Sequence, residues 1–308
     1  MNILDHLSNL LSVDASFLRK YISTCPHRYK VYSIPKRNGN GSRIIAQPAK
    51  ELKQLQKILC KESLSDLPVH EVCKAYKKNT NIKDNALVHV NNRYLLKMDF
   101  KDFFPSITPS DLVMHIEEHL KYDLTDEDKS AIGNIFFYMP RKDTSLRLSV
   151  GAPTSPFISN SIMYGFDLLI KEECDKQGIL YSRYADDLAF STNEKNVLFK
   201  FEGFVKSTLE SLKYPKIAIN PEKTVFLSRK CNMHVTGLVL SNEGKVSLGR
   251  KKKRHIKSLV HKYVNGVITP EEKSYLSGFL SYCNSVEPEF ITRLEKKYGL
   301  DIIKSITL

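Results

Sequence analysis

Paired cysteines are missing. The six cysteines stand at 25, 60, 73, 174, 231 and 283, and none makes the C-x-x-C spacing of a zinc ribbon or a thioredoxin-type motif. A secretory leader is not expected either. Met1-Asn2-Ile3-Leu4-Asp5 carries an acid where such a leader carries cations. Six reduced thiols in a cytoplasm is therefore the expectation. Long apolar runs are also lacking. The longest stretch without a charge, Leu148 to Phe166, holds two prolines, two glycines and several Ser and Asn residues. It predicts a loop and a buried helix, not a membrane span. Repeats and low-complexity linkers are absent. With 308 residues, 42% hydrophobic and 26% charged, the composition excludes disorder over most of the chain as well as collagen-like and coiled-coil classes.

Acids are scarce in two places. Residues 19–57 hold ten Lys/Arg and one acid, Glu51, while residues 244–270 hold eight Lys/Arg and none. These stretches, net +9 and +8, exceed the whole-chain +13. Solvated basic faces are one reading. A polyanion gripped at two places is the better one, because Tyr21, Tyr29 and Tyr32 interleave the first run and His255, His261 and Tyr263 the second. Nucleic acid is the first candidate ligand and an anionic membrane the second.

The pattern along the chain predicts helices to about residue 25, with Asp14 capping Ala15–Thr24. A strand over Arg28–Ile34, a turn at Asn38-Gly39-Asn40-Gly41 and a strand over Arg43–Ala46 follow. Pro48 stands near the first turn of the next predicted helix, whose apolar Leu52, Leu55, Ile58 and Leu59 recur at helical spacing, and another helix is expected over Asn81–Val90. Arg93–Phe100 reads as a strand, Thr108-Pro109 as N-cap and N1 of a helix, and 125–139 and 155–177 as helices. Short strands flank Asp186-Asp187, a helix covers 194–212, and strands are predicted at 223–228, 233–241 and 245–248. From Gly249 the pattern is helical. The order implies an α+β sheet core and a smaller helical C-terminal part.

The sharpest chemical signal is Tyr184-Ala185-Asp186-Asp187, two adjacent acids in a tight turn that lacks the glycine such turns prefer. Like charges side by side are unfavourable unless a cation neutralises them. A second strand, Tyr94–Phe100, carries Asp99 near its end. Three carboxylates at the ends of two strands suit a pair of Mg²⁺ ions serving phosphoryl transfer. A competing pattern, His115-Ile116-Glu117-Glu118-His119, matches H-x-x-E-H of zinc peptidases. Its histidines flank an apolar stripe of Leu112, Ile116 and Leu120, no clear third ligand follows, and zinc gives no reason for the charge.

With these residues the sequence resembles a reverse transcriptase, and within that group a bacterial retron reverse transcriptase. Tyr184–Asp187 is similar to the polymerase catalytic motif and Asp99–Ile107 to the first carboxylate motif. Gly151-Ala152-Pro153-Thr154-Ser155-Pro156 with Asn160 is similar to the segment lining template and nucleotide. Ile219-Asn220-Pro221-Glu222-Lys223-Thr224 resembles the motif carrying a lysine near the triphosphate. Asn85-Ala86-Leu87-Val88-His89 and Val235-Thr236-Gly237 resemble retron N-A-x-x-H and V-T-G elements. The resemblance spans about residues 28–241.

It implies a right-hand polymerase fold: fingers over 1–92, an antiparallel-sheet palm over 93–241 and a small helical thumb over 242–308. It implies two Mg²⁺ ions on Asp99, Asp186 and Asp187. Lys223 is then an acid for pyrophosphate, or otherwise a surface lysine. Phe104 is a gate against a ribose 2′-OH, or otherwise a core aromatic beside Phe103. Arg43 and Lys36 on the basic hairpin, together with Gly151, are implied to bind the nucleotide. Asn85, His89, Val235, Thr236 and Gly237 are implied RNA contacts. Arg250, Lys253, Arg254 and Lys257, which share one helix face, are expected to grip RNA phosphates. Val150 stands where the family commonly has Gln, which bears on nucleotide affinity or fidelity. The implied partners are deoxynucleoside triphosphates, a structured noncoding RNA that is both template and primer, its branched RNA–DNA product, and an effector protein in anti-phage defence, with no membrane. An intron-encoded reverse transcriptase, for whose extensions the short chain after 241 leaves no room, and a catalytically silent nucleic-acid scaffold are the alternatives.

Overall fold

The computed structural model describes residues 3–36, 41–141 and 143–307. Side-chain caps set several of the helix starts. After α1 (Ile3–Leu11), the Asp14 carboxylate accepts from the Ser16 and Phe17 amides at 2.9 and 3.0 Å and opens α2 (Ala15–Thr24). Strands β1 (Tyr29–Pro35) and β2 (Ser42–Pro48) pair antiparallel. Most of the turn predicted at Asn38–Gly41 lies outside the described residues. Pro48 ends β2, and α3 (Lys50–Ser63) starts two residues later, so Pro48 stands just before the first turn of the helix, as expected.

The helix expected over Asn81–Val90 is the shorter α4 (Ile82–Leu87), with Asn81 and Asp84 forming a reciprocal capping box. Then come β3 (Tyr94–Asp99), the single turn α5 (Phe103–Ser106) and α6 (Pro109–Leu120). Thr108 and Asp111 cap α6 reciprocally, with Pro109 at its first position. The helix predicted over 125–139 stops earlier. Thr125 and Asp128 cap α7 (Asp126–Phe136), and β4 (Phe137–Tyr138) leaves it to pair with β5 (Arg147–Leu148). Strand pairing there overrides helical periodicity. The stretch predicted as one helix over 155–177 is two, α8 (Ser155–Ile162) and α9 (Tyr164–Lys176), separated by Met163 with ψ of 2°.

Strands β6 (Leu180–Tyr184) and β7 (Asp187–Thr192), helix α10 (Val197–Ser211) and β8 (Val225–Ser228) complete a four-stranded sheet of order β6-β7-β3-β8 with every neighbour antiparallel. The strand predicted over 233–241 folds back on itself. Thr236 and Gly237, both at positive φ, separate β9 (His234–Val235) from β10 (Leu238–Leu240), and β11 (Val246–Ser247) pairs on the other side of β10. Helices α11 (Arg250–Val264), α12 (Pro270–Val286), α13 (Pro288–Tyr298) and α14 (Leu300–Thr307) finish the chain. Among the described residues no helix is long and apolar enough to cross a membrane.

Two cores result. The first unites α1, α3, α7, α10 and one face of the main sheet through Leu4, Leu52, Phe136, Phe190 and Phe201. The second packs α11–α14 on the β9–β11 sheet and also takes in Ala86, Val90 and Leu95. Helix α4 thus stands between the C-terminal helices and the main sheet. The six cysteines are all free thiols.

Candidate active site

Register brings the acids together. Strands β3 and β7 pair so that Asp99 lies opposite Asp187, and the Phe100 amide donates to the Asp186 carbonyl at 3.0 Å. Tyr184 pairs with Asp187 across a two-residue turn of Ala185 and Asp186. Ala185 sits at φ +58°, the left-handed region where glycine is favoured. Beyond Asp99 the backbone continues against residues 218–220, where the Asn220 amide donates to the Asp99 carbonyl at 2.7 Å. Asn220 and Pro221 then start a short turn that aims Lys223 back at the acids. Its Nζ lies 2.8 Å from both oxygens of Asp99.

The electrostatics fit a cation-binding site. Protein crowding first, then the Asp99 charge, raises the Asp186 pKa above the ordinary carboxylate value. Asp187 keeps a solvent-facing surface, yet burial first, then Asp186 and Asp99, pushes it up to about 6. Burial opposes the charge on Lys223, but Asp99, with Asp186 and Asp187 behind it, outweighs this and raises its pKa. Lys223 therefore keeps its proton and its positive charge at neutral pH. Among the described residues no three His, Cys, Asp or Glu side chains close around a common point, and Lys223 engages both Asp99 oxygens. The donor set is nonetheless all hard oxygen, suited to a divalent ion, and the ammonium sits where positive charge is needed.

Phe103 is buried, while Phe104 packs against it at 5.4 Å between ring centroids and remains half-exposed. Gly151 has φ +128°, and its loop presses on β2, with the Ala46 amide donating to the Val150 carbonyl at 2.9 Å. Val150 thus contributes its backbone to hold the hairpin. Arg43 is exposed on β2, close enough to lower the pKa of Asp186. Lys36 is exposed at the end of β1, and its amide donates to the Gly41 carbonyl.

The expected RNA contacts need correction. Asn85, His89 and Val235 are 1%, 0% and 2% exposed, so their side chains cannot touch RNA. His89 Nδ1 and Nε2 instead meet the Ser191 and Ser182 hydroxyls at 2.7 and 2.8 Å, and Ser182 also donates to Asn85 Oδ1 at 2.7 Å. Burial drops the His89 pKa to about 3, so the ring stays neutral. This cluster clamps α4 to the sheet. Thr236 is half-buried and donates to the Ile82 carbonyl at 3.0 Å. Gly237 is exposed, but its carbonyl accepts from Lys252 at 2.8 Å. Lys253 is committed to Glu287 at 2.5 Å and half-buried, which removes it from the phosphate-facing set. Arg250, Arg254 and Lys257 are exposed. His115 is 1% exposed, and its ring nitrogens meet Ser161 and Tyr214 hydroxyls.

Two residues that sequence reading passed over stand here. Tyr76 is exposed, at φ +59°, within electrostatic reach of Asp186, Tyr184 and Arg43; its sequence signal is only an aromatic in a polar loop. Arg183 is fully buried directly before the turn, where an arginine on a short strand reads as surface.

The reverse transcriptase (RNA-dependent DNA polymerase) family profile matches residues 34–259. The chain is 45% identical over 280 residues to the retron Ec83 reverse transcriptase of Escherichia coli, covering 90% of this chain and 89% of that one. It belongs to the retron reverse transcriptases. The retron Ec86 enzyme of Escherichia coli is 32% identical over 307 residues, covering 97% and 91% of the two chains. A Candida albicans telomerase in complex with a telomeric RNA fragment superimposes with a TM-score of 0.49 at 14% identity, over 95% of this chain and 65% of that one. Membership makes this retron reverse transcriptase an RNA-directed DNA polymerase with the right-hand polymerase fold, acting on an RNA template and deoxynucleoside triphosphates and using divalent metal ions. It sets aside the silent scaffold and the intron-encoded alternative.

Proposed function

We propose that the enzyme reverse transcribes a structured noncoding RNA from a ribose 2′-OH within that RNA, leaving a branched RNA–DNA product. The observation that carries the site assignment is the meeting of Asp99, Asp186 and Asp187 at one end of the sheet, with the Lys223 ammonium on Asp99. In this reading those carboxylates hold two Mg²⁺ ions. Magnesium bound there supplies positive charge to the attacking and leaving oxygens of phosphoryl transfer. The primer hydroxyl gives up its proton to solvent as its oxygen attacks the α-phosphorus, the bond from that phosphorus to pyrophosphate breaks, and Lys223 gives its proton to the leaving pyrophosphate, to be reprotonated from water.

The remaining roles follow the same placement. Arg43 and Lys36 neutralise the triphosphate, the Gly151 loop lines the nucleotide, and Phe104 turns a ribose 2′-OH away. Residues 1–92 act as fingers, 93–241 as palm and 242–308 as thumb. Arg250, Arg254 and Lys257 on α11 lie along RNA phosphates. The wider setting in this reading is cytoplasmic anti-phage defence, with an effector protein restrained by the RNA–DNA complex. Asp186→Asn is the direct test. It should abolish DNA synthesis and leave RNA affinity near wild type, since it removes charge from the ion site and no phosphate contact. Polymerisation at more than a few per cent of wild type would overturn the assignment.

A further inference from the structure

Behind the catalytic turn lies a buried ion pair that the chemistry above does not use. Arg183 on β6 and Asp167 on α9 both have side chains with 0% exposure. Arg183 Nε lies 2.9 and 3.1 Å from the two Asp167 oxygens, and Nη2 lies 2.6 Å from Oδ2. Tyr181 donates its hydroxyl to Asp167 Oδ1 at 2.7 Å. The rest of the guanidinium faces the turn and α8. Nη1 donates to the Ala185 carbonyl at 3.1 Å and to Asn160 Oδ1 at 3.3 Å, and Nη2 donates to the Asn160 carbonyl at 3.3 Å.

Stripping water from both partners of an ion pair is unfavourable, and apolar residues of similar volume often serve a fold as well. Stability alone is therefore a poor reason for this pair. Its geometry supplies a better one. Ala185 occupies the left-handed region at φ +58°, a strained place for any residue with a Cβ. The planar fork of an arginine spans Asp167 and the Ala185 carbonyl together, which a lysine ammonium cannot do. Holding that carbonyl from behind fixes the plane of the Ala185–Asp186 peptide. The plane sets the direction in which Asp186, and Asp187 after it, leave the turn.

We propose that Arg183 is a positioning residue for DNA synthesis: anchored on Asp167, it holds the Ala185–Asp186 peptide so that the two carboxylates point at the reacting phosphate. The inference rests on the assignment of Asp186 and Asp187 given above. Asn160 extends the same support, since its Nδ2 donates to the Ala75 carbonyl at 2.9 Å. The segment that carries Tyr76 is thereby fixed to the same frame.

Two variants test it. Arg183→Lys leaves a cation for Asp167 without reach to Ala185. The triple change Arg183→Met, Asp167→Leu, Tyr181→Phe replaces the network by apolar volume. Each is compared with wild type and Asp186→Asn in thermal unfolding with and without Mg²⁺, and in single-nucleotide addition on a saturating pre-annealed primer. At least one variant should fold, lose roughly ten-fold or more in kcat with KM for the nucleotide within about three-fold, and show a smaller Mg²⁺-induced rise in Tm than wild type. A purely structural pair would lower Tm but leave kcat and the Mg²⁺ response unchanged in the folded protein, and that result overturns the proposal. So does failure of both variants to fold, because the pair is then a requirement of the fold. An active Asp186→Asn would refute the underlying site assignment. An inactive Asp186→Asn beside wild-type Arg183 variants would refute the positioning role alone.

Discussion

Gly151→Ala is the substitution whose cost can be worked most directly. A Cβ at Gly151 would lie 3.0 Å from the Ala46 carbonyl oxygen and 3.1 Å from Ile45 Cγ2, at a φ of +128°. The first neighbour is backbone of β2, and the Ala46 amide is itself bonded to the Val150 carbonyl, so relief requires the hairpin to move away. Holding alanine at such a φ costs about 1–3 kcal/mol. Weakening the hydrogen bond adds about 0.5–1.5 kcal/mol. A combined loss of about 2–4 kcal/mol lowers Tm by roughly 3–6 °C in a chain of this size. Arg43 rides on the same strand, so KM for the nucleotide should rise about ten-fold, the equivalent of one charge-assisted hydrogen bond. Thermal unfolding and single-nucleotide kinetics measure both effects. Ser149→Ala is the control two residues away, because the Ser149 hydroxyl is buried without a hydrogen-bond partner and its removal should be close to neutral. A Gly151→Ala enzyme as stable as that control, with unchanged KM, refutes the close-approach argument.

Phe104→Ala should raise the ratio of ribonucleotide to deoxyribonucleotide incorporation; an unchanged ratio in a folded protein makes Phe104 a packing residue. Replacing Arg250, Arg254 and Lys257 together by Gln should weaken RNA binding and flatten the plot of log affinity against log salt by about two to three units. Single-nucleotide addition on a saturating pre-annealed primer should change much less, and an unchanged slope would make α11 a solvated face. Asp187→Asn should stabilise the protein in EDTA at pH 7.5. The folded carboxylate, raised to about 6, binds more protons than the unfolded one between its ordinary value and that pH, so its charge opposes folding above about 6. The gain should fade as pH falls through 6 towards 4, and equal Tm values for the two proteins at pH 7.5 would contradict the raised pKa.

Local chemistry was legible where a side chain acts on its own neighbourhood. Asp14 and Thr108 cap the helices that their positions announce, and the turn at Ala185-Asp186 sits between the strands that its flanks predict. What escaped was set by partners far along the chain. Nothing near Lys253 reveals that Glu287 will claim it, 34 residues away. His89 is a polar residue whose burial depends on Ser182 and Ser191, each more than ninety positions distant. The break at Met163 has no proline or glycine at that position to signal it, and Thr236-Gly237 folds a predicted strand back because β10 pairs with both β9 and β11. Three of the acids at the site could be named because their types and strand ends carry the chemistry. Arg183 could not, since its role exists only through Asp167 and Ala185.

The bond from Thr236 to the Ile82 carbonyl and that from Lys252 to the Gly237 carbonyl give the molecule a joint. Helix α4, clamped to the main sheet by His89, meets there the turn on which the C-terminal helices are mounted. The two short motifs that resemble retron elements therefore join α4 to the main sheet on one side and to the turn below the C-terminal helices on the other. Grafting follows that division. The C-terminal helices of a relative should dock on this sheet only when transplanted together with the segments around 82–89 and 234–237, because the Thr236–Ile82 and Lys252–Gly237 bonds cross the joint.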